Sequence, residues 1–289
     1  MSRPLQLYAG RCLTGRDIVS FMFPAFLNKT TQSMMNLNNI QAVFFDLDGT
    51  LIDVDMDQFI PIYLQRLTQY MSDQVSSTRA VRALRHAVAA MFANTDADRT
   101  LESILHEVLE SELAVSPLQY AECLEQFCRN DLEILRPLVT GHPLSTQLIK
   151  SSLAKNWKVV LATNPIFPRV VIDARLAWGD LDGDAFHHVT DYETAHFCKP
   201  SPGFFEDILD RLQIPAGRCL MVGNDTLHDL SASQVGMQTC LLTPWRIERL
   251  GAHFRADWQG DHGELLALIE SAGPMPPGEQ VPGNPSGCP

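Results

Sequence analysis

An apolar run that stops on two carboxylates and a glycine, Val43-Phe44-Phe45-Asp46-Leu47-Asp48-Gly49-Thr50, constrains the fold of this chain more than any other segment. Val43, Phe44 and Phe45 read as a strand buried on both faces, as in a parallel sheet covered by helices. Open α/β sheets bind ligands beyond the carboxyl ends of their strands, so both acids arrive where chemistry takes place. In an extended backbone Asp46 and Asp48 share one side while Leu47 points away. Gly49 then permits a turn that brings main-chain groups close to a ligand. Taken alone, the segment also suits an acidic turn with a capping aspartate.

Three further segments have related form. Val159-Val160-Leu161-Ala162 is apolar and ends on Thr163, Asn164 and Pro165, the proline barring continuation of a central strand. Thr163 suits either a phosphate oxygen or a helix cap. Lys199-Pro200-Ser201-Pro202 precedes Ile208, Leu209 and Leu212 at helical spacing, so Ser201 is the expected N-cap and Pro202 the first helical residue. Of the five lysines, at 29, 150, 155, 158 and 199, four have ordinary solvated or terminal settings. Lys199, fixed just ahead of a helix, suits a cation held against phosphate, with a surface charge as the alternative. Last, Cys219-Leu220-Met221-Val222-Gly223 is a third buried strand that opens onto Asn224, Asp225, Thr226, His228 and Asp229. Hard oxygens at a strand end suit Mg²⁺. His228 reads as a helix-surface residue, because no second histidine or cysteine stands nearby at metal spacing.

The order and spacing of these segments, over about residues 41–245, resemble the haloacid dehalogenase-like hydrolase superfamily. The resemblance implies an α/β fold with a Rossmann-like parallel sheet and an inserted α-helical cap. It implies that Asp46 is a nucleophile forming an aspartyl-phosphate, and that Asp48 is the acid that protonates the leaving group and then activates water. Thr163, Asn164 and Lys199 would hold the substrate's phosphoryl group. Asp46, the Asp48 carbonyl and the terminal motif would bind Mg²⁺. In the commonest family pattern an aspartate directly follows the glycine of that motif, whereas here Asn224 stands there and Asp225 comes next. Either the Asn224 oxygen reaches the metal or a small shift of the turn presents Asp225. An anionic oxygen suits Mg²⁺ better than an amide, which favours Asp225, with Asp229 orienting waters or Lys199 from behind. The alternative role for Asp225 is to cap a helix starting at Thr226.

Physical chemistry supplies a reason for such a set. Enzymes accelerate phosphomonoester hydrolysis by on the order of 10²¹, so positioning and charge neutralisation must both be large. A metal and Lys199 let an anionic nucleophile approach an anionic substrate, and covalent catalysis divides the displacement into two steps.

Composition narrows the partners. The 22 Lys and Arg against 34 Asp and Glu give a net charge of −12, which argues against nucleic acid or an anionic membrane surface. Seven cysteines without a C-x-x-C pair read as reduced thiols of a cytoplasmic protein. At 289 residues and 45% apolar content the chain suffices for one large core and a smaller domain.

Between the first and second segments lie about ninety residues without strand signals, too many for a loop. Ile60, Tyr63, Leu64, Leu67 and Met71 recur at helical spacing, as do Val81, Leu84, Val88 and Met91. Leu101, Ile104, Leu105, Val108 and Leu109 form a third stripe, and Tyr120, Leu124 and Phe127 a fourth. The expected organisation is a helical cap over 55–140 and a catalytic core over 40–54 and 141–272. Residues 1–39 read as an extension, with Met34 or Met35 as a possible start, and 273–289 as a disordered Pro- and Gly-rich tail. Ile18–Leu27 is apolar behind Arg3, Arg11 and Arg16, but Asp17 and the lack of an A-x-A-like site speak against a signal peptide. The run is also too short to span a bilayer.

The expected activity is therefore Mg²⁺-dependent hydrolysis of a small phosphorylated metabolite. A phosphosugar mutase shares the four motifs and is the rival; a phosphate-binding regulatory module without turnover is the alternative from another class. A phosphonate-cleaving relative would need a cap lysine, and Asp53 to Ser145 contains none. The resembling dehalogenases do not use the second aspartate, which is present here as Asp48. Neither the substrate nor the oligomeric state is legible.

Overall fold

The computed structural model describes residues 35–73 and 75–274. The expected arm up to residue 34 and the tail from 275 lie outside them. Strand β1 (Ala42–Phe45) is followed by β2 (Ile52–Val54) and helices α1 (Met56–Leu67), α2 (Ser77–Ala93), α3 (Leu101–Leu113) and α4 (Pro117–Asn130). After a 3₁₀ helix come β3 (Val139–Gly141), α5 (Ser145–Ala154), β4 (Lys158–Leu161), α6 (Arg169–Trp178), β5 (His188–Val189) and α7 (Pro202–Leu212). The last elements among the described residues are β6 (Cys219–Gly223), β7 (Gln238–Leu242), β8 (Trp258–Gly260) and α8 (His262–Ser271).

Six strands form one parallel sheet in the order β5-β4-β1-β6-β7-β8. All four β1 residues are fully buried, as an all-apolar central strand requires. Their side chains divide with period two. Val43 and Phe45 join Val159, Leu161, Leu220 and Val222 in a core that includes α5, α6 and α8. Ala42 and Phe44 join Val160, Cys219 and Met221 in a second core under Phe204, Phe205 and Ile208 of α7. The first core also takes in Leu37, so packing begins upstream of the expected boundary at residue 40.

The chain passes from β1 to β4 and β5 on one side, then returns to β6 on the other, which makes the ends of β1 and its neighbours a topological switch point. Register sharpens this: Phe45 is level with Leu161 of β4 and Val222 of β6. Three loops therefore leave the sheet at one height. His262 buttresses the first loop, its Nε2–H donating to the Thr50 carbonyl at 2.8 Å.

Helices occupy the long interval between β2 and β3. Asp55 caps α1 by accepting from the Asp57 and Gln58 amides, and a Ser116–Gln119 capping box with Pro117 at the first position starts α4. The buried stripes keep the expected phase at Tyr63, Leu64, Leu67 and Met71, at Leu84 and Met91, and along α3, and differ at single positions. Phe59, not Ile60, faces the core of α1, meeting Phe167 edge-on with ring centroids 5.8 Å apart. In α2 the small side chains of Ala80, Ala83 and Ala87 are buried where Val81 and Val88 were expected, and these two valines are half-buried. Among the described residues no helix is long and apolar enough to cross a membrane.

The insertion leaves and returns through an antiparallel pair in which Val54 is opposite Val139. Joining these two residues with a two-residue Asn-Gly turn in place of residues 55–138 should therefore leave the six-stranded sheet able to fold. A cooperative thermal transition with parallel-sheet circular dichroism is expected; loss of cooperativity would show that the helices are part of the sheet's folding unit.

Candidate active site

The site is built where the ends of β1, β4 and β6 meet. Lys199 Nζ lies 2.7 Å from Asp46 Oδ1 and 2.6 Å from Asp229 Oδ1, and all three residues are buried. Asp229 Oδ2 in turn accepts the backbone amides of Asn224 and Asp225, each at 2.9 Å. This fold-back explains the glycine before them, because a Cβ on Gly223 would stand 2.1 Å from Asp229 Oδ2. Thr50 Oγ1 lies 3.4 Å from Asp46 Oδ2.

Burial and the neighbouring Asp229 raise the Asp46 carboxyl to about 6 against the opposing pull of Lys199, burial being the largest cause. For Lys199 burial alone would favour the neutral amine, but Asp229 and Asp46 outweigh it and hold the ammonium above its ordinary value. One buried cation thus serves two buried carboxylates, a cluster that retains a negative charge and calls for further cationic company.

Thr163 is buried at the end of β4, with its carbonyl accepting from Thr190 Oγ1 at 2.7 Å. It does not cap a helix, since α6 starts only at Arg169 with Pro168 in the cap position. Asn164 Oδ1 accepts the Lys199 amide at 2.9 Å, which ties the second strand end to the lysine. Ser201 is the N-cap and Pro202 the first residue of α7, as expected.

Two expectations for the last loop need correction. No α-helix starts at Thr226; turns run to Asp229 and a 3₁₀ helix follows over Leu230–Val235. Asp225 nonetheless acts locally, its Oδ1 accepting the Leu227 and His228 amides at 2.9 Å while Oδ2 receives Arg249 Nε at 2.7 Å. Those donors hold its carboxyl below the ordinary range although burial opposes them. His228 is not a surface residue. Its ring lines the cleft, with Nδ1 3.5 Å from Asn164 Nδ2 and from Asp225 Oδ2. Asn224 donates through Nδ2 to the Trp245 carbonyl at 2.6 Å, which identifies Oδ1 as its acceptor end. The same amide lies against Gly49, where φ is +75° and a Cβ would fall 2.2 Å from Nδ2.

Asp48 has a partner that sequence reading missed. Arg175, wholly buried on α6, donates from Nη2 to Asp48 Oδ1. Its guanidinium carbon lies 5.2 Å from the ring centroids of both Phe59 and Phe167, while Nε and Nη1 have no hydrogen-bond partner among the described residues. Burial lowers this guanidinium to about 10, against the pull of Asp46, so it stays cationic at neutral pH. The available signal was a charge on the face of α6 that also carries Val171 and Trp178.

Removing the carboxylate partner strands a buried cation, whereas removing the cation does not leave a fully buried charge. Asp48→Ala should therefore cost about 3 kcal/mol of stability and Arg175→Met less than about 1 kcal/mol. Denaturant titration tests the order, and equal losses would show that the pair contributes no more than packing.

Asp46, Asp48, Thr163, Lys199, Asn224 and Asp229 line one cleft of about 660 Å³. The family profile of haloacid dehalogenase-like hydrolases matches residues 40–235. The chain is 26% identical over 211 residues to a glyceraldehyde 3-phosphate phosphatase of Methanothermobacter thermautotrophicus, covering 70% of this chain and 85% of that one. It is 23% identical over 209 residues to the pyrophosphatase PpaX of Bacillus mycoides, covering 72% and 86%. Among solved structures, a HAD phosphatase from Thermococcus onnurineus aligns with a TM-score of 0.50 at 20% identity over 82% of this chain and all of that one, a likeness of fold. With the profile running from the residues before β1 through the last motif loop, over more than half of the chain, the chain belongs to the haloacid dehalogenase-like hydrolases.

Proposed function

We propose that this hydrolase is a cytoplasmic, Mg²⁺-dependent phosphatase acting on a small phosphomonoester, with Asp46 as the nucleophile. The observation that carries the reading is the buried Lys199 ammonium, 2.7 Å from Asp46 at a strand end shared with Thr163 and Asn224. Lys199 orients Asp46 through Oδ1 and offers positive charge to the phosphoryl oxygens, while Thr163 and Asn164 complete the cradle. The phosphatase names of the two curated relatives agree with this reading. The free thiols of Cys123, Cys128, Cys198, Cys219 and Cys240 support a reducing compartment.

The donor set fits a hard divalent cation. Among the described residues no three His, Cys, Asp or Glu side chains cluster as a metal site, so the ligand set draws on amide and main-chain oxygens as well. Asp46, the Asp48 carbonyl and Asn224 Oδ1 are the residues that would hold it. The sequence preference for Asp225 is reversed, because both of its oxygens already serve backbone amides and Arg249. When bound, Mg²⁺ neutralises charge on the phosphoryl oxygens. Asp229 keeps Lys199 in place and fixes the Asn224 amide from behind.

Asp48 acts as the proton donor and then as the base for water. It does so by parting from Arg175, with which it pairs in the resting cleft. The helices α1–α4 serve as the cap, their side chains Met56, Ile60 and Phe92 forming one wall. Phosphatase is favoured over mutase by the charge of that wall. Asp53, Asp55 and Asp57 line it, and the cap side contributes no Lys or Arg to receive the second phosphate of a bisphosphate.

With p-nitrophenyl phosphate, activity should require added Mg²⁺ and vanish in Asp46→Asn; metal-independent turnover, or an active Asp46→Asn enzyme, would contradict the proposal. In a Mg²⁺ titration Asn224→Ala should raise the half-saturating concentration by at least about tenfold and by more than Asp225→Ala does. The opposite order would return the ligand to Asp225.

A further inference from the structure

A cleft of about 660 Å³ is much larger than a phosphoryl group requires and lies in the range that encloses whole organic ligands. Its remaining lining describes the other half of the substrate. Phe92 of α2 and Ile247 of the loop after β7 are both 40% exposed, and both line this cleft together with Ile60, Ile166 and Trp245. Apolar surface thus flanks the phosphoryl end from the helical insertion and from the sheet.

Phe92 is also placed by contact. Its ring lies nearly parallel to the His228 imidazole, with centroids 6.0 Å apart and planes at 27°. His228 reaches Asn164 at 3.5 Å, and Asn164 accepts the Lys199 amide at 2.9 Å. An exposed aromatic face and the residues around Lys199 therefore line one cleft.

The charges at the mouth argue against a second anion on the substrate. Asp53, Asp55 and Asp57 line one side, while Arg246 and Arg249 on the other are already paired with Glu248 and Asp225. We propose that the leaving group of the substrate is an uncharged, planar and largely apolar group that stacks against Phe92. This inference rests on the phosphatase reading of the same cleft.

Benzyl phosphate and n-propyl phosphate are suitable probes, because both release an alkyl alcohol and differ mainly in the ring. In the presence of Mg²⁺ the full-length enzyme should prefer the benzyl ester by about tenfold or more in kcat/KM, as ring burial and stacking together provide. Calorimetry with the inert benzylphosphonate and propylphosphonate should show the same preference in binding. Phe92→Ala should reduce the benzyl-to-propyl ratio severalfold, and Phe92→Tyr, which keeps the ring, should restore it. Equal affinity for the two phosphonates, or a ratio that Phe92→Ala leaves intact, would overturn the inference while leaving the phosphatase reading standing. Failure to hydrolyse either ester would overturn both.

Discussion

A single buried ammonium holds the site together. Lys199 is shared by Asp46 at 2.7 Å and Asp229 at 2.6 Å, so without it two carboxylates would stand desolvated and mutually repelling in the protein interior. Much of the local structure follows from this demand. Asp229 turns its second oxygen onto the Asn224 and Asp225 amides, and only a glycine at 223 leaves it room to do so. Asn164 ties the backbone of Lys199 to the end of β4. The level register of β1, β4 and β6 then brings these loops to one height, where a phosphoryl group can touch all of them.

A second cation connects that centre to the helical insertion. Arg175 rises from α6, lies against the rings of Phe59 of α1 and Phe167 of the core, and ends on Asp48. The side chain proposed to move protons is thereby linked to the first helix of the insertion, which leaves the sheet only a few residues later through β2.

What the sequence disclosed and what it concealed divide along physical lines. The strands were legible because each is a short apolar run ending at a turn, and the parallel sheet followed from burial on both faces. Asp46, Thr163 and Asn224 were legible because they stand just beyond the ends of those runs, and Lys199 because it stands just ahead of a helix start, positions that local pattern alone defines. The helical insertion was legible in its period and in most of its phase; α2 departs by burying Ala80, Ala83 and Ala87 while Val81 and Val88 stay half-buried, because side-chain size alone does not fix how closely helices pack. Arg175 and the commitment of Asp225 to Arg249 were hidden for a different reason. Each pairs residues far apart in the chain, and a pairing of that kind leaves no local trace beyond a charge on an apolar face. The His228 assignment failed because a helix was assumed where the chain forms successive turns.

The central claim is that Asp46, oriented by Lys199, takes the phosphoryl group covalently. Acid quenching of the enzyme during turnover, followed by peptide mass spectrometry, tests it most directly. The account predicts a phosphoryl adduct confined to the peptide that carries Asp46 and lost on treatment with hydroxylamine. A steady-state adduct on another residue, or turnover with oxygen exchange but no adduct at any quench time, would contradict it.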